Sequence, residues 1–353
     1  MAQVRDNIHY SVRSIRGYQK PFNFVMGARE PGKTTSIWLD WIYSDWKKTK
    51  RPWYYITRQV IEISDAFIES IFVTLNKFND GEQVEPSYTK GSFKEGIVDI
   101  RIKGELFIRI VALSISLRRL KLALIPNSAG MFMDEYIIDP KTGEHYLKNE
   151  AFKIKEAYTT WRRECSGIFQ AVFSANVYSL FNPLFVDWEV DTGSLRPGEF
   201  LVGDNWVIQW VTISPELREY LLKNNPLYKF DEDYSFYALE GQAVNDRFIK
   251  TGKLPNNYSI QFVFCIGGKN IAIYRNRYVD DLEDRFFCAY LENPSKYRTI
   301  YVIDMEDMMA RTTLISRDER VILSRFKSAM RVGRVSFSDV SVYYFVREIF
   351  NAL

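Results

Sequence analysis

Short apolar runs alternate with stretches of helical spacing through the first half of the chain. Residues 22–26, Phe22-Asn23-Phe24-Val25-Met26, are aromatic and apolar, as a buried strand is, and residues 34–42 place apolar side chains at helical intervals. Residues 53–58 form a second strand pattern, and 65–78 have helical spacing. Residues 97–103 and 105–113 flank Lys103-Gly104-Glu105 and predict a β-hairpin. After the breaker Pro126-Asn127-Ser128, residues 129–133 form a further strand. A helix follows over 150–164, with its stripe at Ile154, Ala157, Tyr158 and Trp161, and then a strand over 168–174 that ends at Asn176. Strands alternating with helices in this way predict a mostly parallel α/β sheet.

The pattern changes near residue 190. Residues 191–199 are rich in turn formers and suggest a boundary. Helical spacing returns over 216–222. Beyond Asn256-Asn257 come strand patterns at 258–266, 271–274, 286–290 and 299–303, closed by helices over 317–332 and 338–350. The expected division is an α/β domain over 1–195, a linker region over 196–255, and a smaller α+β domain over 256–353.

Chemistry enters between the first strand and its helix. Gly27-Ala28-Arg29-Glu30-Pro31-Gly32-Lys33-Thr34 reads G-x-x-x-x-G-K-T, the phosphate-cradling Walker A loop of P-loop NTPases. A strand, a glycine-bounded turn and a helix start gather backbone N–H groups around one anion. Residues Gly27 to Thr35 are therefore the expected ATP-binding loop, with Lys33 reaching the β- and γ-phosphates and Thr34 ligating Mg2+. The strand at 129–133 ends in Asp134-Glu135, the form of a Walker B motif. Asp134 is expected to hold Mg2+, and Glu135 to polarise the attacking water. An acid directly after the metal-binding Asp suits continuous hydrolysis rather than switch-like nucleotide binding.

Composition narrows the remaining classes. The 353 residues are 46% apolar and 16% aromatic, enough for one large domain or two moderate ones. A formal charge of +3 does not by itself argue for nucleic acid. The three cysteines, Cys165, Cys265 and Cys288, have no CxxC spacing and fit a reducing compartment. With only His9 and His145, a histidine-rich metal site is excluded, and serine- or cysteine-histidine catalysis is disfavoured. No run of 18 apolar residues and no signal-peptide pattern is found, so no membrane partner is expected.

With these residues in place, the chain resembles the DNA-packaging ATPases, or encapsidation proteins, of small phi29-like tailed phages. The resemblance rests on residues 22–34, on Met133-Asp134-Glu135-Tyr136-Ile137, on Ser174-Ala175-Asn176-Val177 with Asn182-Pro183-Leu184-Phe185, and on the 261–273 hairpin with the helices beyond Arg317. It implies a P-loop NTPase of the ASCE type followed by an RNase H-like domain stripped of its nuclease chemistry. It also implies an ATP- and Mg2+-dependent motor that moves double-stranded DNA into a procapsid as a homomeric ring of five. Such a motor works in the host cytoplasm, transiently on the procapsid portal. Whether a packaging RNA takes part is left open.

Further site residues follow from the same resemblance. Arg58 falls where the family has an arginine that restrains the catalytic Glu, and it is expected to pair with Glu135. Lys121 falls where a family lysine sits near the nucleotide interface. Arg162 or Arg163 takes the place of the trans-acting arginine finger. Asn176 ends a strand beside the acidic one, where a polar sensor would touch the γ-phosphate or the water. In the C-terminal region, the first strand, 259–266, carries no acid of the kind a two-metal nuclease needs. Asp280, Asp281, Glu283 and Asp284 read as a solvated turn. Arg317, Arg320, Arg325, Lys327, Arg331 and Arg334 give the penultimate helix a basic character suited to phosphates. Competing readings are another ring translocase or helicase, an ATP-switched nucleic-acid-binding assembly protein without steady turnover, and a large terminase with a live nuclease.

Overall fold

Apolar strands buried on both faces need helices on both sides, and parallel neighbours need crossover connections. The first 211 residues satisfy both demands with nine strands. These are β1 (Phe22–Gly27), β2 (Trp53–Thr57), β3 (Pro86–Ser87), β4 (Ile97–Ile102), β5 (Glu105–Ala112), β6 (Gly130–Asp134), β7 (Gln170–Asn176), β8 (Phe200–Val202) and β9 (Trp206–Val211). They form one nine-stranded sheet in the order β3-β4-β5-β2-β6-β7-β1-β9-β8. The six central strands, β5 to β9 in that order, are parallel, and the edges are antiparallel hairpin partners. The computed structural model describes residues 8–78, 83–139, 142, 144–178, 182–188, 190, 192, 195–231, 234–235, 238–239, 249–266, 268–276, 285–297, 299–302, 308–315, 317–331, 334–343 and 345–346.

The strand order places β7 between the loop-bearing β1 and the acidic β6, the ASCE arrangement. Packing fixes it. Phe24 of β1 stacks on Phe173 of β7 at 4.8 Å between ring centroids, and Tyr54 of β2 stacks on Trp161 at 3.9 Å. Phe24, Phe132, Phe173, Trp53 and Trp161 are all fully buried. The helix Asp65–Phe78 matches its expected bounds and buries Ile68, Ile71, Phe72 and Leu75. The helix after the loop runs longer than expected. It opens as Lys33–Ser36, continues as a π-helical segment Ile37–Tyr43 and closes as Ser44–Thr49. Expected helix 150–164 ends earlier, at Trp161, and a tight 3-10 turn spans Arg162–Glu164.

The stretch 196–255, expected as a linker, is divided differently. The chain falls into two compact units, Met1–Ala243 and Val244–Leu353. β8 and β9 complete the first sheet, because Val207, Ile208, Trp210 and Val211 are buried beside β1. Helices Pro215–Asn224 and Pro226–Phe230 follow within the first unit.

The second unit carries β10 (Tyr258–Ile266), β11 (Lys269–Asn276), β12 (Phe286–Tyr290), β13 (Ile300–Val302), β14 (Thr312–Leu314) and β15 (Val335–Phe337). The sheet order is β14-β13-β10-β11-β12-β15. An antiparallel meander, β10 to β12, is followed by β13 parallel to β10 and β14 parallel to β13, which is the RNase H-like strand order. Its core joins Phe264, Ile271 and Cys288 to Leu323 and Phe326 of the helix Arg317–Arg331. Arg325 of that helix is exposed and Lys327 half-buried. Of the last expected helix, residues 340–343 and 345–346 are helical. The acidic residues Asp280, Asp281, Glu283 and Asp284 lie outside the described residues. Among the described residues no helix is long and apolar enough to cross a membrane.

Candidate nucleotide site

Parallel pairing brings the chemistry to one edge. Gly27 is opposite Asn176, and Asp134 is opposite Ser174, so β1, β7 and β6 all finish at the same end of the sheet. The chain leaves β1 through Gly27, which lies too close to the end of β9 for any side chain. A Cβ there would lie 2.0 Å from the Val211 carbonyl oxygen. Ala28 N–H donates to that same oxygen at 3.2 Å, and Val177 N–H donates to the Gly27 oxygen at 3.1 Å. Backbone on both sides leaves nothing that can yield. Gly27→Ala is therefore expected to destabilise the first unit by about 1–3 kcal/mol, as overpacking does, with loss of ATP binding; thermal unfolding and ATP titration check both.

The loop closes at Gly32, in the left-handed region at φ 87°, which starts the helix at Lys33. The first-turn amides of that helix have no intrahelical acceptors and are free to meet phosphate oxygens. Glu30 also has positive φ, at 72°. Such a backbone persists in a non-glycine residue only where its surroundings hold it, and here they do. Tyr228 OH donates to Glu30 Oε1 at 3.0 Å, and Arg29 N–H donates to the Ala238 carbonyl at 3.0 Å. Arg29 Nη2 donates to Tyr178 OH at 2.6 Å and faces Asp139 at 3.6 Å. The loop tip is thus tied to the helical segment that follows β9.

Lys33 is buried, 7% exposed, and its Nζ donates to the Ala28 carbonyl and to Asn176 Oδ1 at 3.2 Å. Burial pushes its pKa down to about 8, against the opposing pull of the Asp134 carboxylate. Asp134 accepts from Ser174 Oγ, from the Thr34 hydroxyl and, at 3.0 Å, from Glu135 N–H. Desolvation raises the Asp134 pKa, and these hydrogen bonds work against the rise. A hydroxyl and a carboxylate touching beside a phosphate cradle are the donor set that suits Mg2+, which takes few protein ligands and keeps phosphate oxygens and water for the rest. Thr34 and Asp134 fit the expected Mg2+ ligands on this observation.

Glu135 follows at φ 53°, a left-handed turn off the end of β6. Desolvation and the neighbouring Asp134 and Glu144 carboxylates push its pKa up, while Arg29 and Arg58 draw it down. Arg58 does not pair with the Glu135 carboxylate. Its Nε and Nη2 bind Glu150 in a fork at 2.8 and 2.9 Å, and Nη1 and Nη2 reach the Glu135 carbonyl at 3.5 and 3.4 Å. Both ionic partners are buried, Arg58 7% and Glu150 3% exposed. The reason is geometric. Glu150 opens the helix Glu150–Trp161 directly over the end of β2, so it offers a bidentate, desolvated partner. Arg58 holds the backbone from which the Glu135 side chain projects.

No protein-family model matches the sequence, and no curated protein matches it. Among solved structures, the bacteriophage Phi-29 viral genome packaging motor assembly aligns with a TM-score of 0.65 and 19% identity, over 98% of this chain and 99% of that one. The Phi-28 gp11 DNA packaging motor aligns with a TM-score of 0.64 and 14% identity, over 98% of each chain. The chain has the fold of these packaging motors.

Within that fold the expected site residues separate into two groups. Lys33, Thr34, Asp134, Glu135 and Asn176 come together. Lys121 does not join them; its Nζ pairs with Glu156 on the neighbouring helix. Arg162 and Arg163 are exposed on the turn Arg162–Glu164, whose Glu164 carbonyl accepts from Asn127 N–H just before β6 begins. That is the opposite end of the sheet, a strand length of roughly 20 Å away at ~3.3 Å per residue. Among the described residues neither guanidinium makes a hydrogen bond or an ion pair; the Arg162 carbonyl accepts from Cys165 N–H at 3.2 Å. Ser174, Glu150 and Tyr228 belong to the site and were not singled out from sequence. Only Ser174 carried a signal, as a lone polar residue inside an apolar strand.

Proposed function

We propose that the chain is an ATP-driven motor that moves double-stranded viral DNA into a procapsid, acting as a homomeric ring. The observation that carries this reading is the convergence of Lys33, Thr34, Asp134, Glu135 and Asn176 at one strand edge of a chain that has the packaging-motor fold along nearly its whole length. ATP would lie with its phosphates on the amides after Gly32 and on Lys33 Nζ. Thr34 and Asp134 would hold Mg2+, which neutralises charge on the phosphate oxygens. Glu135 would accept the proton of the attacking water and orient it in line, and Asn176 would hydrogen-bond the γ-phosphate beside Lys33.

The place of Arg162 and Arg163 supports a role in a neighbouring copy, since neither can reach the nucleotide of its own subunit. A guanidinium delivered across a subunit boundary stabilises the transferring phosphoryl charge and is worth about 10³–10⁵ in rate. DNA would be gripped through phosphates, as a motor indifferent to sequence requires. The exposed Arg325 on the helix Arg317–Arg331 supports that contact. The ring, of five copies, would act on the procapsid portal in the host cytoplasm.

Mixing of inactive variants tests the arrangement. Glu135→Gln and Arg162→Ala are each expected to lose at least about 100-fold in hydrolysis, and a mixture of the two to regain part of it. The same experiment with Arg163→Ala decides between the two arginines. Wild-type turnover by both arginine variants would overturn the trans arrangement.

A further inference from the structure

The phosphate edge has a direction. Lys33 Nζ, Asn176 and the Asp134–Thr34 pair all lie on the β7 and β6 side of β1, which marks the γ-phosphate end. The other neighbour of β1 is β9. A nucleotide whose phosphates run along the loop therefore leads its ribose and base toward the β9 side.

A strap of residues 8–12 occupies that side. Ser214 Oγ, just after β9, donates to the Ile8 carbonyl at 3.2 Å. Tyr10 N–H donates to the Pro31 carbonyl of the loop at 2.8 Å, and Tyr10 OH donates to Gln209 Oε1 of β9 at 2.8 Å. Val12 N–H donates to Ser36 Oγ, one turn into the loop helix, at 3.0 Å. The strap is pinned at once to the loop, to its helix and to β9. His9 lies between the first two anchors. Tyr10 is buried and His9 is exposed. Its imidazole stands over the open side of Gly32: a Cβ built there would lie 3.7 Å from His9 Cδ2.

We propose that His9 is the base-stacking residue of the nucleotide site, its imidazole face covering a purine that leaves the loop on the β9 side. The inference rests on the nucleotide-site reading above and adds the residue that holds the end of the ligand opposite the chemistry. A flat, conjugated ring held by backbone anchors on both sides supplies stacking at little conformational cost. Stacking of this kind accepts adenine and guanine alike. Base discrimination is not asked of it.

Calorimetric titration of the full chain with ATP and, separately, with inorganic tripolyphosphate tests the assignment. Loss of one base–ring stack is worth about tenfold in affinity. His9→Ala is expected to weaken ATP by that factor and to leave tripolyphosphate unchanged, while His9→Phe restores ATP affinity. Lys33→Ala is expected to weaken both ligands. Wild-type ATP affinity in His9→Ala, with Lys33→Ala impaired, would overturn the stacking role alone. Equal weakening of ATP and tripolyphosphate by His9→Ala would make His9 a prop of the loop instead, and also overturn it. Unchanged binding in Lys33→Ala would remove the nucleotide site itself.

Discussion

Glu135→Gln is expected to lower steady ATP turnover by about 10²–10⁴-fold, the usual contribution of a positioned general base, while ATP still binds. The amide keeps the size and reach of the side chain but cannot take a proton from water. The left-handed turn at Glu135 and the hold of Arg58 on its carbonyl are backbone features that the substitution leaves alone. Removing the charge also relieves the burial penalty on the carboxylate and, after it, the repulsion from Asp134, which together raise the pKa of Glu135 in the native protein. Affinity for ATP should therefore be unchanged or slightly tighter. Phosphate release at saturating ATP, set beside calorimetric titration, separates the two effects. Native-like turnover in Glu135→Gln would remove Glu135 from the mechanism.

The second large effect concerns folding. Glu150→Ala leaves the Arg58 guanidinium buried without its counter-ion, and breaking a buried pair from one side costs about 3–5 kcal/mol. Glu150 also accepts from Leu147 N–H at 2.9 Å, so the start of its helix loses an anchor as well. The double variant Arg58→Met with Glu150→Leu should recover much of the loss, since no charge is then stranded. It should not recover hydrolysis, because nothing then holds the Glu135 carbonyl. Fluorescence-monitored denaturation isolates the relevant unit: the eight tryptophans all lie between Trp38 and Trp210. An unfolding midpoint in Glu150→Ala equal to that of the native chain would show that the pair contributes nothing.

The loop, the acidic strand end and most central strands were legible because each depends on neighbours in sequence. Gly27 to Thr34 is a local turn with local rules, and Met131-Phe132-Met133-Asp134 is a strand whose end is marked by its own polarity. The Arg58–Glu150 pair was not legible. It joins positions 92 residues apart, and nothing near either residue distinguishes a buried carboxylate from a surface one. β8 and β9 were assigned to a linker because the turn-rich 191–199 stretch precedes them. Their partner, β1, lies far back in the chain, and only that pairing shows that the stretch 206–211 is core. The location of Arg162 was similarly hidden: the helical spacing gave its helix, while the end of the sheet it reaches depends on crossover direction.

The most direct test of the account is ATP hydrolysis by the full chain with and without double-stranded DNA, with Glu135→Gln as the reference for zero. Turnover that rises on adding DNA, whatever its sequence, and that vanishes in Glu135→Gln is the expected result. ATP binding without turnover, indifferent both to DNA and to Glu135, would contradict the motor and leave a nucleotide-binding assembly protein.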